Sequence, residues 1–155
     1  MQLMYERLAD KLKTTTALKW FPGHGAEESW IAEAEEELGF SLPPSYRWWL
    51  IHYGNASLNG GNILTITSPE HREYVDSDLL YIHRLNKEEE WLVSRFPHRV
   101  DLFVPDDDEL YYFDTSSSNE QGEFPIMRYD LMNDLIETYA LTFAEFLEKL
   151  IDERS

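Results

Sequence analysis

The sequence predicts an α+β fold in which helices pack against a mostly antiparallel sheet. Helical patterns occupy the first third of the chain, strand-like segments follow, and a well-marked helix ends it. Strands that are grouped in sequence favour antiparallel pairing. The 155 residues are the usual size of one domain, and 43% of them are hydrophobic, which is enough for a core. We therefore predict a single domain over residues 1–155.

The first two helices are predicted over 3–12 and 27–38, where apolar residues recur at helical spacing. Glu27 and Glu28 fall in the first turn of the second helix, where the helix dipole favours negative charge. Gly39 stands at the position after this helix where a left-handed residue is expected, because glycine adopts positive φ without steric cost.

A third helix is predicted over 44–53, directly after Pro43. Proline suits a helix start because its missing N–H would have no partner there. Tyr46 and Trp49 lie on the apolar face of this helix and are predicted to enter the core. Gly54 ends the helix.

Strands are predicted from alternation and β-branched content. An acidic hairpin turn from Asp106 to Glu109 joins the strands predicted over 99–104 and 110–113. Pro125 predicts that the last strand lies at a sheet edge or begins late. A short helix over 87–95, capped by Asn86, interrupts the series. The five strand segments are 62–67, 79–85, 99–104, 110–113 and 124–128.

The final helix has the best-marked start. Thr142 and Glu145 have the spacing of a capping box, and Leu141 with Phe146 has the spacing of a hydrophobic staple. We expect this helix to pack its apolar stripe on the sheet.

Charge narrows the range of partners. The chain has 30 Asp and Glu against 13 Lys and Arg, a formal net charge of −17. Nucleic acids and anionic membranes attract Lys and Arg clusters, which this chain lacks, so neither is an expected partner. A basic protein is an expected partner, because opposite fields steer association. The acidity is equally well interpreted as a means of keeping the domain soluble.

The chain has no Cys, which excludes disulfides and thiolate chemistry. Its first residues mix apolar and charged side chains, unlike a signal peptide, and no segment is long and apolar enough to span a bilayer. We therefore expect a cytoplasmic protein.

No catalytic motif is recognisable. The sequence has no nucleophile elbow, no phosphate-binding glycine loop and no His pair at metal-ligand spacing. An EF-hand loop starting at Asp106 would place Leu110, Tyr111 and Ser117 where the motif needs an oxygen ligand, Gly and Glu. Asp114 and Glu123 are interpreted as acceptors for turn amides. We therefore expect no enzyme activity, no cofactor and no metal.

Two features are candidate partner-binding sites. The first is the acidic hairpin turn, to which the two glutamates at the start of the second helix are added as further candidates. The second is Trp48, which points away from the buried face of its helix, as exposed interface anchors do. The alternative for Trp48 is that another helix or the sheet covers it. The acidic candidates are Asp106, Asp107, Asp108, Glu109, Glu27 and Glu28.

Several blocks together resemble a known family. They are Glu35-x-x-Leu38-Gly39, Leu42-Pro43-x-Ser45-Tyr46-Arg47-x-Trp49-Leu50, Tyr53-Gly54-Asn55, Asp108 to Thr115, Gly122 to Ile126, and Leu141-Thr142-Phe143-x-Glu145-Phe146-Leu147. Their order and spacing resemble the SUKH superfamily, which contains the Smi/Knr-like proteins. The family's acidic turn usually carries a Gly, which 106–109 lacks. The signature residues, which we interpret as structural, are Glu35, Gly39, Pro43, Tyr46, Trp49, Gly54, Asp114, Glu123 and Pro125.

This resemblance implies a central, curved, largely antiparallel sheet with helices around it. It also implies one of two functions. Bacterial members are similar to immunity proteins, which bind and neutralise a cognate toxin domain, often a nuclease. Fungal members act as regulatory scaffolds of cell-wall synthesis, so a protein-interaction scaffold without a toxin partner is the alternative.

Overall fold

The computed structural model describes residues 2–16, 18–20, 25–54, 56–58, 61–71, 73, 77–105 and 109–154. Within these ranges the chain forms six helices and a sheet of seven strands. None of these helices has the length and apolar character needed to cross a bilayer. The helices are α1 (Gln2–Thr14), α2 (Glu28–Leu38), α3 (Pro44–His52), α4 (Leu79–Lys87), α5 (Glu90–Arg95) and α6 (Phe143–Arg154). The strands are β1 (Leu18–Trp20), β2 (Ala56–Leu58), β3 (Gly61–Ile63), β4 (Arg99–Pro105), β5 (Glu109–Asp114), β6 (Ile126–Asp130) and β7 (Leu135–Ala140).

The strands lie in the sheet in chain order, from β1 to β7, and every neighbouring pair is antiparallel. An isolated parallel bridge joins Thr65 to Asp78. The register shifts at Asp101/Phe103 and again at Ile126/Met127, the kind of irregularity that bends a sheet. The predicted α+β fold with a mostly antiparallel sheet is confirmed.

Helices pack on both faces of this sheet. Tyr111 and Tyr112 are neighbours on β5 and therefore point to opposite faces. The Tyr111 ring lies 5.5 Å from Phe146 of α6, whereas the Tyr112 ring lies 5.8 Å from Phe96, directly after α5. The helix α6 thus covers one face, and the end of α5 packs on the other.

The core lies between α3, α6 and the sheet. Tyr46 and Trp49 are fully buried, as predicted, and so are Phe143 and Phe146 of α6. The Tyr46 hydroxyl donates to the Leu64 carbonyl at 2.6 Å, so its polar atom is satisfied inside the core.

Local backbone geometry fixes the α2–α3 pair. Gly39 follows α2 with φ of 87°, which is the left-handed cap that its position predicts. Pro43 precedes α3 as its N-cap, and Pro44 is the first helical residue. Gly54, with φ of 66°, follows the last turn and donates to the Trp49 carbonyl at 2.9 Å.

The strand predicted over 79–85 is wrong, because this segment is α4. Asp78 caps that helix, since its Oδ1 accepts from the Tyr81 amide at 2.9 Å. Its Oδ2 accepts from the amide and hydroxyl of Thr67, which holds the preceding segment against the cap. The cap, one residue before the apolar run, outweighs the strand propensity of Tyr81 and Ile82.

Other boundaries also differ. The helix predicted over 87–95 is shorter, because Asn86 belongs to α4 and Glu89 is the N-cap of α5. In the segment predicted as a strand over 62–67, the pairing with β4 ends at Ile63. The strand around Pro125 begins late, at Ile126, and lies inside the sheet between β5 and β7. The strands β1, β2 and β7 were not predicted.

Of the two features predicted at the start of α6, the Thr142 cap is present and the hydrophobic staple is not. The Glu145 amide donates to the Thr142 hydroxyl at 3.1 Å, as a capping residue requires. The staple is wrong, because Leu141 is 64% exposed while Phe146 is fully buried.

Candidate partner-binding site

A groove with an aromatic wall lies beside Trp48. It is bounded by α1, by the link between α2 and α3, by α3 itself, and by the loop between β5 and β6. Its volume is about 770 Å³. The rim is polar and includes Arg47, His52, Thr115 and Gln121. The apolar and aromatic wall comprises Tyr5, Phe40, Leu42, Pro44, Trp48, Ile51 and Phe124.

Trp48 is half-buried in this wall. Its ring stacks on Tyr5 of α1 at a centroid distance of 5.0 Å and an interplanar angle of 5°. It also contacts the rings of His52 and Tyr53. The structure therefore combines the two interpretations of Trp48: a second helix covers one face of the ring, and the ring also lines an open groove.

Arg47 joins the groove to α2. Its Nη2 donates to Glu28 at 2.9 Å, and its Nη1 lies 3.2 Å from both carboxylate oxygens of Glu35. Glu35 also accepts from the Leu42 amide at 2.6 Å, which ties α2 to the segment that enters α3. Glu28 thus bonds a groove residue, an arginine to which the sequence assigned no binding role.

Glu27 has a different place from Glu28. It is the N-cap of α2, and its backbone carbonyl accepts from the Trp30 and Ile31 amides. Its side chain is exposed and makes no capping hydrogen bond. The Glu27 carboxylate therefore remains exposed at the start of α2.

The acidic turn is described only in part. Asp106, Asp107 and Asp108 lie outside the described residues, and Glu109 begins β5. Glu109 receives two hydrogen bonds from Arg128, both at 2.7 Å, and a third from the Tyr111 hydroxyl. Its charge is therefore already balanced within the protein.

The surroundings of Glu109 form a second, polar cavity of about 560 Å³. Arg128 also bonds Glu137 at 2.6 Å, and hydrogen bonds to both carboxylates raise the pKa of its guanidinium. Burial and the bond to Glu109 raise the pKa of Tyr111 well above its usual value. We call this cavity the polar basin; its charged residues are Glu109, Arg128, Glu137, Lys149 and Glu153.

The groove and the polar basin are separate surfaces. Glu109 begins β5 and Asp114 ends it, and the next residue, Thr115, lines the groove. Five steps along a strand cover about 16 Å. Glu28 therefore bonds a groove residue, Arg47, whereas Glu109 lies at the end of β5 far from the groove.

Three signature residues at the end of β5 and beyond it position the loop that forms one side of the groove. Asp114 accepts from the amide and the hydroxyl of Ser116, as expected of a turn residue. Glu123 is buried and bonds the first turns of α3 and α6, the latter through the Phe143 amide at 3.5 Å. Pro125 follows in the link to β6, and its carbonyl accepts from the Asp114 amide. The carboxylates of Asp114 and Glu123 therefore accept hydrogen bonds from backbone amides.

The described residues show no metal-ligand cluster, and their titratable side chains meet in the polar basin and not in the groove. The groove wall consists mainly of apolar and aromatic side chains, and the carboxylates nearest to it are engaged by Arg47 or by backbone amides. This arrangement suits binding of a macromolecule.

Comparison with protein families gives a match over most of the chain. The family model SUKH_6, described as SMI1-KNR4 cell-wall, matches residues 28–147. The match includes α2, α3, most of the sheet and the start of α6, and therefore most of the groove.

Proposed function

Because the chain belongs to the SMI1-KNR4 family of the SUKH superfamily, we propose that it is an immunity-type protein that binds and neutralises a cognate toxin domain. The family is associated with protein partners, and toxin immunity is one such association. In this proposal the chain performs no reaction of its own.

The observation that carries the proposal is the aromatic groove. A Trp backed by a stacked Tyr loses little conformational entropy when a partner binds, because its ring is already held. Trp and Tyr are also the residue types that most often dominate binding energy at protein interfaces. The groove is large enough to receive one or more partner side chains against the ring of Trp48.

The charge of the chain supports a basic partner. A nuclease holds phosphates with Lys and Arg, so its active site attracts an acidic protein. Arg47 and Arg128 already engage Glu28 and Glu109, which leaves those two carboxylates poorly suited to be contacts by themselves. The net charge of −17 would therefore act mainly as a field that speeds association.

A binding assay tests this proposal. The probe is the toxin domain encoded by a reading frame next to this gene, and a nuclease domain is expected there. We expect a complex at low salt and loss of the toxin's activity when the chain is present. The variant Trp48→Ala should weaken binding, whereas Leu141→Ala, which removes an exposed apolar side chain elsewhere, should not. Absence of a complex at low salt would contradict the proposal.

The second candidate function is a regulatory scaffold. The matched family model carries the description SMI1-KNR4 cell-wall, which favours a cellular protein as the partner. This candidate predicts no toxin gene nearby, and it predicts that a cellular partner occupies the same groove. Trp48→Ala would then reduce binding to that partner and leave the sensitivity of the cell to toxins unchanged.

A further inference from the structure

Exposed apolar side chains are concentrated in one region. Eight large hydrophobic residues are exposed in the described part of the chain, and six of them lie on α5 or on the β6–β7 hairpin. Clustered apolar exposure on an otherwise acidic chain marks an interaction surface. The five residues that we call the β7 edge patch are Trp91, Leu131, Met132, Leu135 and Ile136.

The helix α5 is fastened to the hairpin. Arg95 bonds Asp134 in the β6–β7 turn at 2.6 Å, and its guanidinium lies over the rings of Phe96 and Tyr129 at 5.1 and 5.3 Å. Trp91 precedes Arg95 by four residues and shares its helix face. Trp91, which is 60% exposed, therefore lies on the side of α5 that faces the hairpin.

The strand β7 forms one edge of the sheet. It pairs with β6 on one side, and no other strand of the described residues pairs with its second side. Residues 135–138 are exposed, while farther along the strand Lys149 bonds the Tyr139 carbonyl at 2.6 Å. Proteins usually protect such edges with charges, bulges or covering elements. Here the covering contact begins only after residue 138, and Glu137 is the one charged side chain among residues 135–138.

The two faces of this edge differ in chemistry. Ile136 lines a cavity of about 260 Å³ together with Phe96, Tyr112 and Met127. Glu137 points to the opposite face and lines the polar basin, where three carboxylates surround two cations. Arg128 is shared between Glu137 and Glu109, so the basin retains negative charge for a cation arriving along β7.

We propose that an extended segment of a partner protein adds to β7 as an eighth strand. Its apolar side chains would enter the cavity beside Ile136, and its basic side chains would lie next to Glu137 in the polar basin. A second copy of the chain does not suit this edge, because it would bring a further −17 charge. The surface is distinct from the Trp48 groove, so the inference goes beyond the proposed function.

A synthetic peptide tests the surface with the full chain. The probe is a twelve-residue peptide in which Lys and Val alternate, and the readout is amide hydrogen exchange followed by NMR. We expect the peptide to slow exchange by about tenfold or more at those amides of residues 135–138 that point away from β6, as new strand hydrogen bonds form. A peptide in which Glu and Val alternate should have no effect.

Variants separate strand addition from simple charge attraction. We expect Ile136→Asp and Trp91→Ala each to weaken peptide binding about tenfold, a loss of about 1.4 kcal/mol. The control Leu141→Asp, at a residue exposed outside the patch, should bind as the unaltered chain does. Unchanged exchange at 135–138, or full binding by Ile136→Asp, would overturn the proposal. A dimer in sedimentation equilibrium that Ile136→Asp dissociates would also overturn it, because the second copy would then be the occupant.

Discussion

The carboxylate of Glu123 accepts two hydrogen bonds from Ser45, one from the backbone amide at 2.9 Å and one from the hydroxyl at 2.7 Å. The same hydroxyl accepts from the Ala144 amide at 3.3 Å. Glu123 and Ser45 thereby join the first turns of α3 and α6, where the N–H groups have no helical partners and the helix dipoles favour an anion. This link also anchors the β5–β6 loop that forms one side of the groove.

Glu123→Gln should lower the free energy of unfolding by about 2–3 kcal/mol, because one acceptor becomes an amide donor that faces other donors. Denaturant unfolding measures this change. The control is Glu120→Gln, an exposed residue of the same loop, which should change stability by less than about 0.5 kcal/mol. Equal stability of the two variants would show that the buried link contributes nothing.

Arg47 should be coupled more strongly to Glu35 than to Glu28. Glu35 is 16% exposed, whereas Glu28 is 69% exposed and largely screened by solvent. Double-mutant cycles with Arg47→Met should give about 1 kcal/mol for Glu35→Ala and close to zero for Glu28→Ala. The reverse order would mean that exposure does not decide the strength of these pairs.

Two glycines should differ in their response to alanine. Gly39→Ala places a Cβ in open space, so it should cost only about 1 kcal/mol for the left-handed backbone. At Gly25 a Cβ would clash with the Ile51 carbonyl oxygen, so the backbone must move. Thermal unfolding should therefore show a clearly larger loss for Gly25→Ala, and similar losses would contradict the close approach of residue 25 to α3.

Stability should fall when the pH falls below about 6.5, because of His83. Burial, with a smaller effect of Lys87, lowers the pKa of this imidazole. Its Nδ1 is buried without a hydrogen-bond partner among the described residues. The unfolded chain therefore takes up the proton first, and His83 favours folding above pH 6.5 and loses that contribution as the pH falls towards its folded-state pKa.

Urea unfolding between pH 7.5 and 5.5 measures this dependence. The variant His83→Gln should flatten the dependence, whereas His98→Gln, at an exposed histidine, should leave it as it is. A slope that survives in His83→Gln would assign the effect to other groups.

Sequence periodicity predicted α2, α3, α6 and the β4–β5 hairpin because each has a strong local signal. Gly39 marks the end of one helix, Pro43 the start of the next, and Thr142 the start of the last. Periodicity failed for α4 because Leu79 begins an apolar run that resembles a strand. The residue that makes this segment a helix is its N-cap, Asp78, which lies just before the run. The strand β7 also had a local signal, since Asn133 and Asp134 form a turn before a segment that contains the strand-favouring residues Ile136, Thr138 and Tyr139.

The candidate site was less predictable than the fold. The direction in which Trp48 points followed from helical geometry, but its stack on Tyr5 depends on how α1 packs against α3. The pairing of Glu28 with Arg47 and of Glu109 with Arg128 joins residues 19 apart in each case. Such contacts depend on tertiary structure, so composition could show that the chain is acidic but not which carboxylates are engaged.

Isothermal titration calorimetry with the neighbouring toxin domain tests most directly whether Trp48 anchors a partner. We expect tight binding that weakens as salt is raised, and a loss of about 2 kcal/mol or more in binding free energy for Trp48→Ala. Equal affinities of Trp48→Ala and the unaltered chain, at equal stability, would contradict the assignment of the groove.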